Sequence, residues 1–444
     1  MSGVQVPSPL LITKSIILFD LNHHGVIVDR SVKDRQYWKF SAYGFLKNLR
    51  FFDPFIVLFF LDTGLSFLEI GLLISFREII VNIFELPSGI IADSLGRRKS
   101  MILSFGAYII SFVIFFFSHY FMIHLLAMFF FGIGEAFRSG THKAMILEYM
   151  RRKKILHMKI QYYGHTRSWS QMGSAVSAVI AGLIVFFSPG YRYVFVFSII
   201  PYLAELILIW SYPKELDFSP GLNDSEDLEK INFKLRIKNT FMELAIMMKE
   251  KATRRALINS SSFDAVFRAI KDYLQPVLLA LVIGLPVLLN FKEDEKLSIL
   301  SSVVYFILYL FTSFASKNSV LFAKQFRSNE RGLNFSYISG IVLILAIGFF
   351  LYSGFNFLPV LFFIIFYVLQ NIRRPIVISV LSNRIPSSAM ASGLSVESQA
   401  KTLLVAIIAP VLGFTIDIFG LGLTFIFVSL VLSLFYPLIR LKEM

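Results

Sequence analysis

The chain has 444 residues, of which 56% are hydrophobic, 16% are charged and 49 are phenylalanine. This composition excludes an ordinary soluble domain and is typical of a polytopic membrane protein. The net charge of +14 would suit nucleic-acid binding, but Lys and Arg concentrate in alternate loops, which is the pattern of membrane topology and argues against nucleic acid. The chain contains no cysteine, which excludes a disulfide framework and a thiolate metal site.

Residues 1–40 are predicted to form a cytoplasmic extension that is partly disordered or lies on the membrane. They contain one short apolar run, Leu10–Phe19, among scattered basic residues, so they do not match a signal peptide. His23 and His24 in this extension, and His119 and His124 near an outer loop, are predicted to be surface residues rather than metal ligands, because no acidic or thiol partner accompanies them.

Twelve mostly apolar stretches follow, each long enough for a bilayer-spanning helix, which needs about 20 residues. Their bounds are about 41–62, 66–92, 99–118, 120–148, 160–188, 191–212, 256–289, 297–316, 334–353, 357–382, 392–415 and 420–440. The sequence therefore predicts an all-α membrane protein with two six-helix bundles, residues 41–212 and residues 256–444, the second ending in a short tail.

A polar linker, residues 213–255, separates the two predicted bundles. Its amphipathic run, Leu228–Met248, is predicted to lie on the inner leaflet, and a solvated tether is an equally good interpretation. With the N-terminus inside, the outer loops carry only three cations, Arg192, Lys292 and Lys296, and the inner segments carry the rest of the loop cations. This bias predicts that both termini are cytoplasmic.

The two halves share a short pattern in their first spans. Each of these spans has two cations three residues apart, followed by a proline. The residues are Lys47, Arg50 and Pro54 in span 1, and Arg268, Lys271 and Pro276 in span 7. Related halves with a binding site between them are what an alternating-access transporter needs.

The loop between spans 2 and 3 contains a compact motif. It reads Gly89-x-x-x-Asp93-x-x-Gly96-Arg97-Arg98-Lys99. Gly96 suits a tight turn, and the cations favour the cytoplasmic side. The motif resembles the loop 2–3 motif of the major facilitator superfamily, and it has the same position between spans. Two further stretches, Ile385–Ser395 and Asp272–Pro276, are similar to a bacterial branch of that family described as exporters of unspecified substrate.

The resemblance implies a fold and a gate. The fold would be twelve transmembrane helices in two pseudo-symmetric bundles, with a cavity lined by spans 1, 4, 7 and 10 or 11. The gating residues would be Gly89, Asp93, Gly96, Arg97 and Arg98, with Asp93 locking against the start of span 11 near Ser392–Gly393. The chain departs from the family's drug–proton antiporters, since Met128 replaces an Arg of span 4 and span 5 lacks a Gly-Pro motif.

Ionisable residues within the spans are costly, so they are expected to face a partner or a water-filled cavity. Glu135, Arg138 and His142 share one helical face of span 4, and Asp264 and Arg268 share one face of span 7. The predicted cavity residues are Lys47, Arg50, Arg138, His142, Arg268, Lys271, Asp272 and Lys401. The predicted proton-coupling carboxylates are Glu135 and Asp264, followed by Asp53 and Glu85. Alternatively, pairs such as Asp264–Arg268 and Glu135–Arg138 only hold the bundle together.

The resemblance and the charges together predict a secondary transporter of a small organic molecule in a bacterial cytoplasmic (inner) membrane, with proton-coupled export as the leading function. The alternatives are a facilitator or importer of an organic anion, and a transporter-like sensor or lipid-flipping protein. The expected partners are a small-molecule substrate, protons and membrane lipids, with the chain as a monomer. No enzyme activity, metal or cofactor is expected, because no nucleophile–base set or Gly-x4-Gly-Lys-Ser/Thr loop occurs.

Overall fold

The computed structural model describes residues 33–217, 242, 249–284, 291–385 and 390–443. Throughout these ranges the regular structure is helical, and no strand occurs in them. The predicted all-α fold class is thus confirmed. Most of the N-terminal extension and of the predicted amphipathic run Leu228–Met248 lies outside the described residues.

The helices of the first half follow the chain from Arg35 to Trp210. They are α1 (Arg35–Leu46), α2 (Ile56–Asp62), α3 (Phe67–Leu95), α4 (Arg97–Phe117), α5 (Phe121–Arg138), α6 (Thr141–Arg152), α7 (Lys159–Phe187) and α8 (Tyr193–Trp210). Short 3-10 turns at Leu156–Met158 and Lys214–Leu216 precede α7 and follow α8.

The helices of the second half follow in the same manner. They are α9 (Lys251–Ile270), a 3-10 turn at Lys271–Tyr273, α10 (Leu274–Gly284), α11 (Glu293–Lys317), α12 (Ser319–Lys324), α13 (Asn329–Tyr352), α14 (Phe357–Arg384) and α15 (Met390–Ile439). The long α15 bends at Gly420, whose φ of 75° is outside the helical range.

Eight helical segments of the described chain are long and apolar enough to cross a membrane. One of them, Ser395–Ile439 in α15, covers both of the last two predicted spans. Predicted spans 1 and 7 are divided into shorter helices, and α3 carries Arg77, Glu78 and Glu85 along its length. The number of twelve spans therefore stays a prediction.

Span 1 is not the continuous helix that its apolar sequence predicts. It is interrupted between Leu46 and Ile56, where Pro54 lacks the N–H that a helix would use. The amide side chain of Gln275, from the other half, fills the break. Its Oε1 accepts a hydrogen bond from the Val57 N–H (2.8 Å), and its Nε2 donates to the Asp53 carbonyl (2.9 Å).

Span 7 is interrupted at the corresponding place in the second half. Its helix α9 ends at Ile270, the chain tightens into a 3-10 turn, and Pro276 follows in the first turn of α10. Interrupted helices at matching positions of two halves are the usual sign of a transporter's binding site. The shared cation–proline pattern thus falls on both breaks.

The two halves contact each other closely along α3 and α15, from the start of α3 as far as Asn82, whose side-chain amide donates to the Thr402 hydroxyl (2.8 Å). Following the predicted topology, we name the end with the Leu95–Arg97 turn the inner end and the opposite one the outer end. At the outer end, the Asp417 carboxylate accepts hydrogen bonds from the N–H groups of Phe67 (2.9 Å) and Leu68 (2.8 Å), which begin α3. A Cβ atom added to Gly413 would lie 2.1 Å from the Phe67 carbonyl oxygen, so only glycine permits this approach of α15 to α3.

Candidate functional site

A cavity of about 360 Å³ lies between the two halves and is named here the central cavity. Both interrupted spans line it, through Asp53 and Ile56 in the first half and Lys271 and Asp272 in the second. Its volume falls in the range of about 300 to 1,000 Å³ that is typical of small-molecule sites.

The lining of the central cavity is dense in charge, and the charges balance. Its carboxylates are Asp53, Glu78, Glu135, Asp264 and Asp272, and its cations are Arg50, Arg77, Arg268, Lys271 and Arg374. Taking a charge out of water costs several kcal/mol unless a partner of opposite charge compensates. So many charges at membrane depth therefore require nearly equal numbers of cations and carboxylates.

Most of these charges pair within their own half. Arg50 Nε lies 3.4 Å from Asp53 Oδ1 across the break in span 1. Lys271 pairs with its neighbour Asp272 in the 3-10 turn. The two breaks therefore each present a cation and a carboxylate to the cavity.

Glu78 of α3 connects the two halves. Its Oε1 lies 2.6 Å from Arg77 Nη2, and its Oε2 lies 3.9 Å from Arg268 Nη1 of α9. Among the described residues, this is the ion pair that crosses the central cavity from one half to the other. A substrate group that competes for either arginine would change the contact between the halves.

The two leading coupling candidates have different partners. Glu135 and Arg138 form the predicted pair, at 3.7 Å. Asp264 does not pair with Arg268, which reaches Glu78 instead. The partner of Asp264 is Lys401 of α15 (3.5 Å), and the Gln370 side-chain amide also donates to it. The alternative in which Asp264 and Arg268 neutralise each other is therefore wrong.

Three tyrosines and two amides complete the central cavity. They are Tyr305 and Tyr309 of α11, and Tyr367, Gln370 and Asn371 of α14. The Tyr367 hydroxyl donates to the Lys271 carbonyl (3.1 Å), in the break of span 7. The sequence analysis missed these residues, although the spacing of Tyr305 and Tyr309 places them on one helical face.

A second cavity, of about 400 Å³, opens at the inner end of the first half and is named here the vestibule. It lies among α1, α6 and α7, and Asn48 lines both it and the central cavity. The charged residues of its lining are Lys47, Lys143 and Arg167, and no Asp or Glu occurs among the described residues that line it.

An aromatic wall closes one side of the vestibule. The His142 ring stacks on Tyr43, with centroids 3.5 Å apart, and its Nε2 lies 3.2 Å from the Tyr212 hydroxyl. The edge of Phe40 meets the same imidazole ring at 5.4 Å. His142 is thus held in place by packing and by one hydrogen bond.

The predicted site residues separate into three groups. Those in the central cavity are Arg50, Asp53, Glu135, Asp264, Arg268, Lys271 and Asp272, and those in the vestibule are Lys47 and His142. The remaining three, Glu85, Arg138 and Lys401, line neither cavity. Arg138 lies beside the Tyr108 hydroxyl (3.3 Å), and Lys401 lies behind Asp264.

Two predictions about histidines have different outcomes. His119 lies at the surface beside Arg192, at 3.3 Å, as expected. The prediction for His124 is wrong, because its side chain is fully buried among Phe59, Phe60 and Phe115. No group of three or more His, Cys, Asp or Glu in the described part of the chain could hold a metal ion.

The motif between α3 and α4 anchors the inner end of the first half. Gly96 has a φ of 99°, which glycine adopts without strain, so the turn requires it. Arg98 donates from its backbone N–H (2.8 Å) and its Nε (2.9 Å) to Asp217, and from Nη1 to the Tyr212 carbonyl (2.8 Å). A Cβ atom at Gly89 would meet open space. The side chain of Asp93 and those of the start of span 11 lie outside the described residues.

Interrupted helices in two halves, a charged cavity between them and the anchored α3–α4 motif define a polytopic transporter of the two-bundle type. The model of the Major Facilitator Superfamily matches residues 44–410, and the chain belongs to this family. Members of the family move solutes across membranes and are generally not enzymes.

The comparisons add relatives that agree with this assignment. An uncharacterised transporter of the same family from Bacillus subtilis strain 168, YxaM, is 24% identical over 408 residues, which are 89% of this chain and 92% of that one. A structure of the nucleoside transporter NupG superposes with a TM-score of 0.70 at 13% identity, over 91% of this chain and 99% of that one. The inward-open xylose transporter XylE of E. coli superposes with a TM-score of 0.58 at 14% identity, over 90% and 95%. These two structures share the fold of this chain.

Proposed function

We propose that the protein exports a small organic molecule from the bacterial cytoplasm by alternating access, in exchange for protons. It acts as a monomer in the cytoplasmic membrane with both termini inside. The observation that carries this proposal is the charge-balanced central cavity between two halves whose outer ends are joined by Asp417 and Gln275. Contacts between the halves at the outer end, with a cavity beneath them, are what alternating access requires of the state in which the site exchanges solute with the inside.

The proposed coupling uses a change of ion-pair partners. Asp264 is held by Lys401, and Glu135 by Arg138. A substrate that draws the cation away leaves the carboxylate in a cavity of low dielectric, where it binds a proton more readily. Asp53 pairs with Arg50 at the break of span 1, and it becomes a third proton site if the substrate draws Arg50 away. Glu85, beside the cavity, is a fourth candidate.

The proposed gate is the Gly89–Arg98 motif. Arg98 fixes the turn at Gly96 to Asp217 and to the end of α8, so α3, α4 and α8 move as one unit at the inner end. Asp93, with Gly89 and Arg97 in the same segment, is proposed to engage the start of span 11 when the inner end closes.

The test uses purified protein in liposomes that contain a pH-sensitive dye. Uridine, dialanine and phenyl phosphate are added in turn, and solute flux and proton flux are both recorded. At least one solute is expected to drive proton movement, and Glu135→Gln and Asp264→Asn are expected to remove the pH dependence of its flux. Two variants that transport with unchanged pH dependence would contradict the coupling proposal.

A second candidate function, a facilitator or importer of an organic anion, is favoured by the three cations of the vestibule. It predicts flux of phenyl phosphate without proton movement in the same liposomes. A sensor or lipid-flipping protein would show no solute flux, with lipid movement or partner binding in its place.

A further inference from the structure

Glu205 of α8 has a carboxyl group that is buried without a partner. The residue is 0% exposed, and neither of its side-chain oxygens has a hydrogen-bond partner among the described residues. The backbone N–H of Lys47 faces it but donates within α1, to the Tyr43 carbonyl (3.1 Å). An ionised carboxylate in such a place costs several kcal/mol, because it has neither water nor a cation in contact. A protonated Glu205 avoids that cost.

Other carboxylates of the first half have a cation in contact. Glu148 of α6 is 3% exposed, and Arg152 Nε donates to its Oε1 (2.8 Å). Glu135 of α5 lies 3.7 Å from Arg138. A cation at such a distance favours the ionised form of a carboxyl group. Glu205 therefore differs from Glu148 in its charge and not in its burial.

Arg138 lies between Glu135 and the face of α8 that carries Glu205. Its Nε is 3.3 Å from the Tyr108 hydroxyl, and the ring of Tyr108 packs against the ring of Tyr202 with centroids 5.3 Å apart. Tyr202 and Glu205 are three residues apart on α8, so their side chains share one face of that helix. The guanidinium thus has an ionised partner on one side and an unpaired carboxyl group on the other.

The two carboxyl groups lie toward different openings. Glu135 lines the central cavity. Besides Arg138, the charged side chain that faces Glu205 is that of Lys47, which lines the vestibule, and the hydroxyls of Tyr43 and Tyr212 also face Glu205. The vestibule opens at the inner end, so a proton that leaves Glu205 on this side reaches the inside.

We propose that Glu135 and Glu205 form a proton relay through the first half, with Arg138 as their shared cation. In the state described here Glu205 holds a proton and Glu135 is ionised. When Glu135 takes a proton from the central cavity, Arg138 turns to Glu205, whose O–H bond breaks and whose proton passes to water in the vestibule. One proton is bound and one is released, so the charge of the relay stays the same. This inference rests on the proposed function, because it supplies the inner part of the proton path.

The proton on Glu205 is measured by infrared spectroscopy of the purified protein in detergent at neutral pH. A protonated carboxylic acid has a C=O stretching band that an ionised carboxylate lacks, and the band shifts in heavy water because the acid proton exchanges. The difference spectrum between the wild type and Glu205→Gln is expected to contain this band. The matched control is Glu148→Gln, which removes an equally buried carboxylate that pairs with Arg152, and its difference spectrum is expected to lack the band.

The relay is tested with Glu135→Gln, whose amide resembles a protonated Glu135 and frees Arg138. This variant is expected to lose the Glu205 band although Glu205 is still present, because Arg138 then stabilises the ionised form. Asp264→Asn removes a central-cavity carboxylate whose partner is Lys401 (3.5 Å), and it is expected to keep the band. In liposomes, Glu205→Gln is expected to retain solute flux down a gradient and to lose the accompanying proton movement.

Each outcome decides a different point. A Glu205→Gln difference spectrum without the band would overturn the protonated Glu205 and the relay with it, and a band that Glu135→Gln leaves unaltered would overturn the relay. Infrared spectra need no transport, so a protein with both band changes whose solutes move no protons refutes the proposed function and retains the coupled pair. Proton flux at the wild-type level in Glu205→Gln would overturn the part of Glu205 in coupling and retain the proposed function.

Discussion

The linings of the central cavity and the vestibule differ in their balance of positive and negative side chains. In the central cavity five carboxylates face five cations, and most of them form ion pairs. In the vestibule the charged residues are Lys47, Lys143 and Arg167, without a carboxylate among the described lining. The difference follows burial. Charges at membrane depth need partners, whereas Lys143 and Arg167 at the inner opening are exposed, so their desolvation costs less.

The contrast assigns different tasks to the two regions. A balanced cavity attracts no particular charge from a distance, but it discriminates at contact, because a substrate has to replace existing partners. A cationic opening attracts anions from solution but discriminates little. The contrast leads to the prediction that the vestibule concentrates a solute and that the central cavity selects it.

The largest expected effect is that of Asp264→Asn in the central cavity. Lys401 is 5% exposed, and among the described residues it would keep Glu397 (3.7 Å) as its ion-pair partner. Breaking a buried pair costs about 3 to 5 kcal/mol, and the remaining partner places this case at the lower end. Unfolding of the purified protein in detergent, followed by heat or denaturant, should show the loss.

The matched change in the vestibule is Arg167→Gln. This side chain is exposed, and substitutions at exposed sites usually change stability by less than about 0.5 kcal/mol. If Arg167→Gln destabilised the protein as much as Asp264→Asn, the two regions would not differ in the way described. The double variant Asp264→Asn with Lys401→Met should recover part of the stability without recovering transport, because the buried cation is then gone, while Glu397 loses its ion pair with Lys401 and keeps the hydrogen bond from Ser260 (3.0 Å).

An intermediate effect is expected for Gln275→Ala, above the central cavity. The change leaves the Val57 N–H and the Asp53 carbonyl without their buried partner, at a cost of about 1 to 3 kcal/mol. Because these bonds join the two halves, the outer end should open more often. A cysteine placed at Tyr305 should then react faster with a membrane-impermeant thiol reagent added from outside.

The control for this change is Asn371→Ala. Its amide lines the same cavity but donates to Tyr367 of its own helix (2.9 Å), so it does not join the halves. The reaction rate at Tyr305→Cys should stay at its original value. Equal rates for Gln275→Ala and the unchanged background would show that the Gln275 contact is not part of the outer seal.

The sequence was sufficient for the all-helical fold and for most of the charged lining. Apolar runs, and cations in alternate loops, predict the membrane spans. Because a charge within a span is costly, residues such as Arg50 and Asp264 could be identified as candidate site residues from the sequence. The partner of Asp264 was not predictable, because Lys401 lies 137 positions later, and spacing along a helix only relates residues within three or four positions.

The contacts of two other features could not be predicted from the sequence. Gln275 is one polar residue in an apolar helix, and its role depends on a break in another helix, at Pro54, whose freed groups it satisfies. The vestibule brings together α1, α6 and α7. Lys143 and Arg167 were indistinguishable from the other inner cations, since membrane topology already explains a positive inner side.

The smallest expected effect is that of ionic strength. It distinguishes the exposed cations of the vestibule from the buried ion pairs of the central cavity without any substitution. Raising the ionic strength from about 0.01 M to about 1 M shortens the Debye length from about 30 Å to about 3 Å. The flux of phenyl phosphate, which the second candidate function attributes to the cations of the vestibule, should weaken several-fold over this range, and the slope should be smaller in Arg167→Gln, which has one cation fewer to screen. The stability difference between the wild type and Asp264→Asn should change little, because buried pairs are screened much less than exposed charges. A salt dependence that is equal in the wild type and in Arg167→Gln would mean that the anion binds within the central cavity alone.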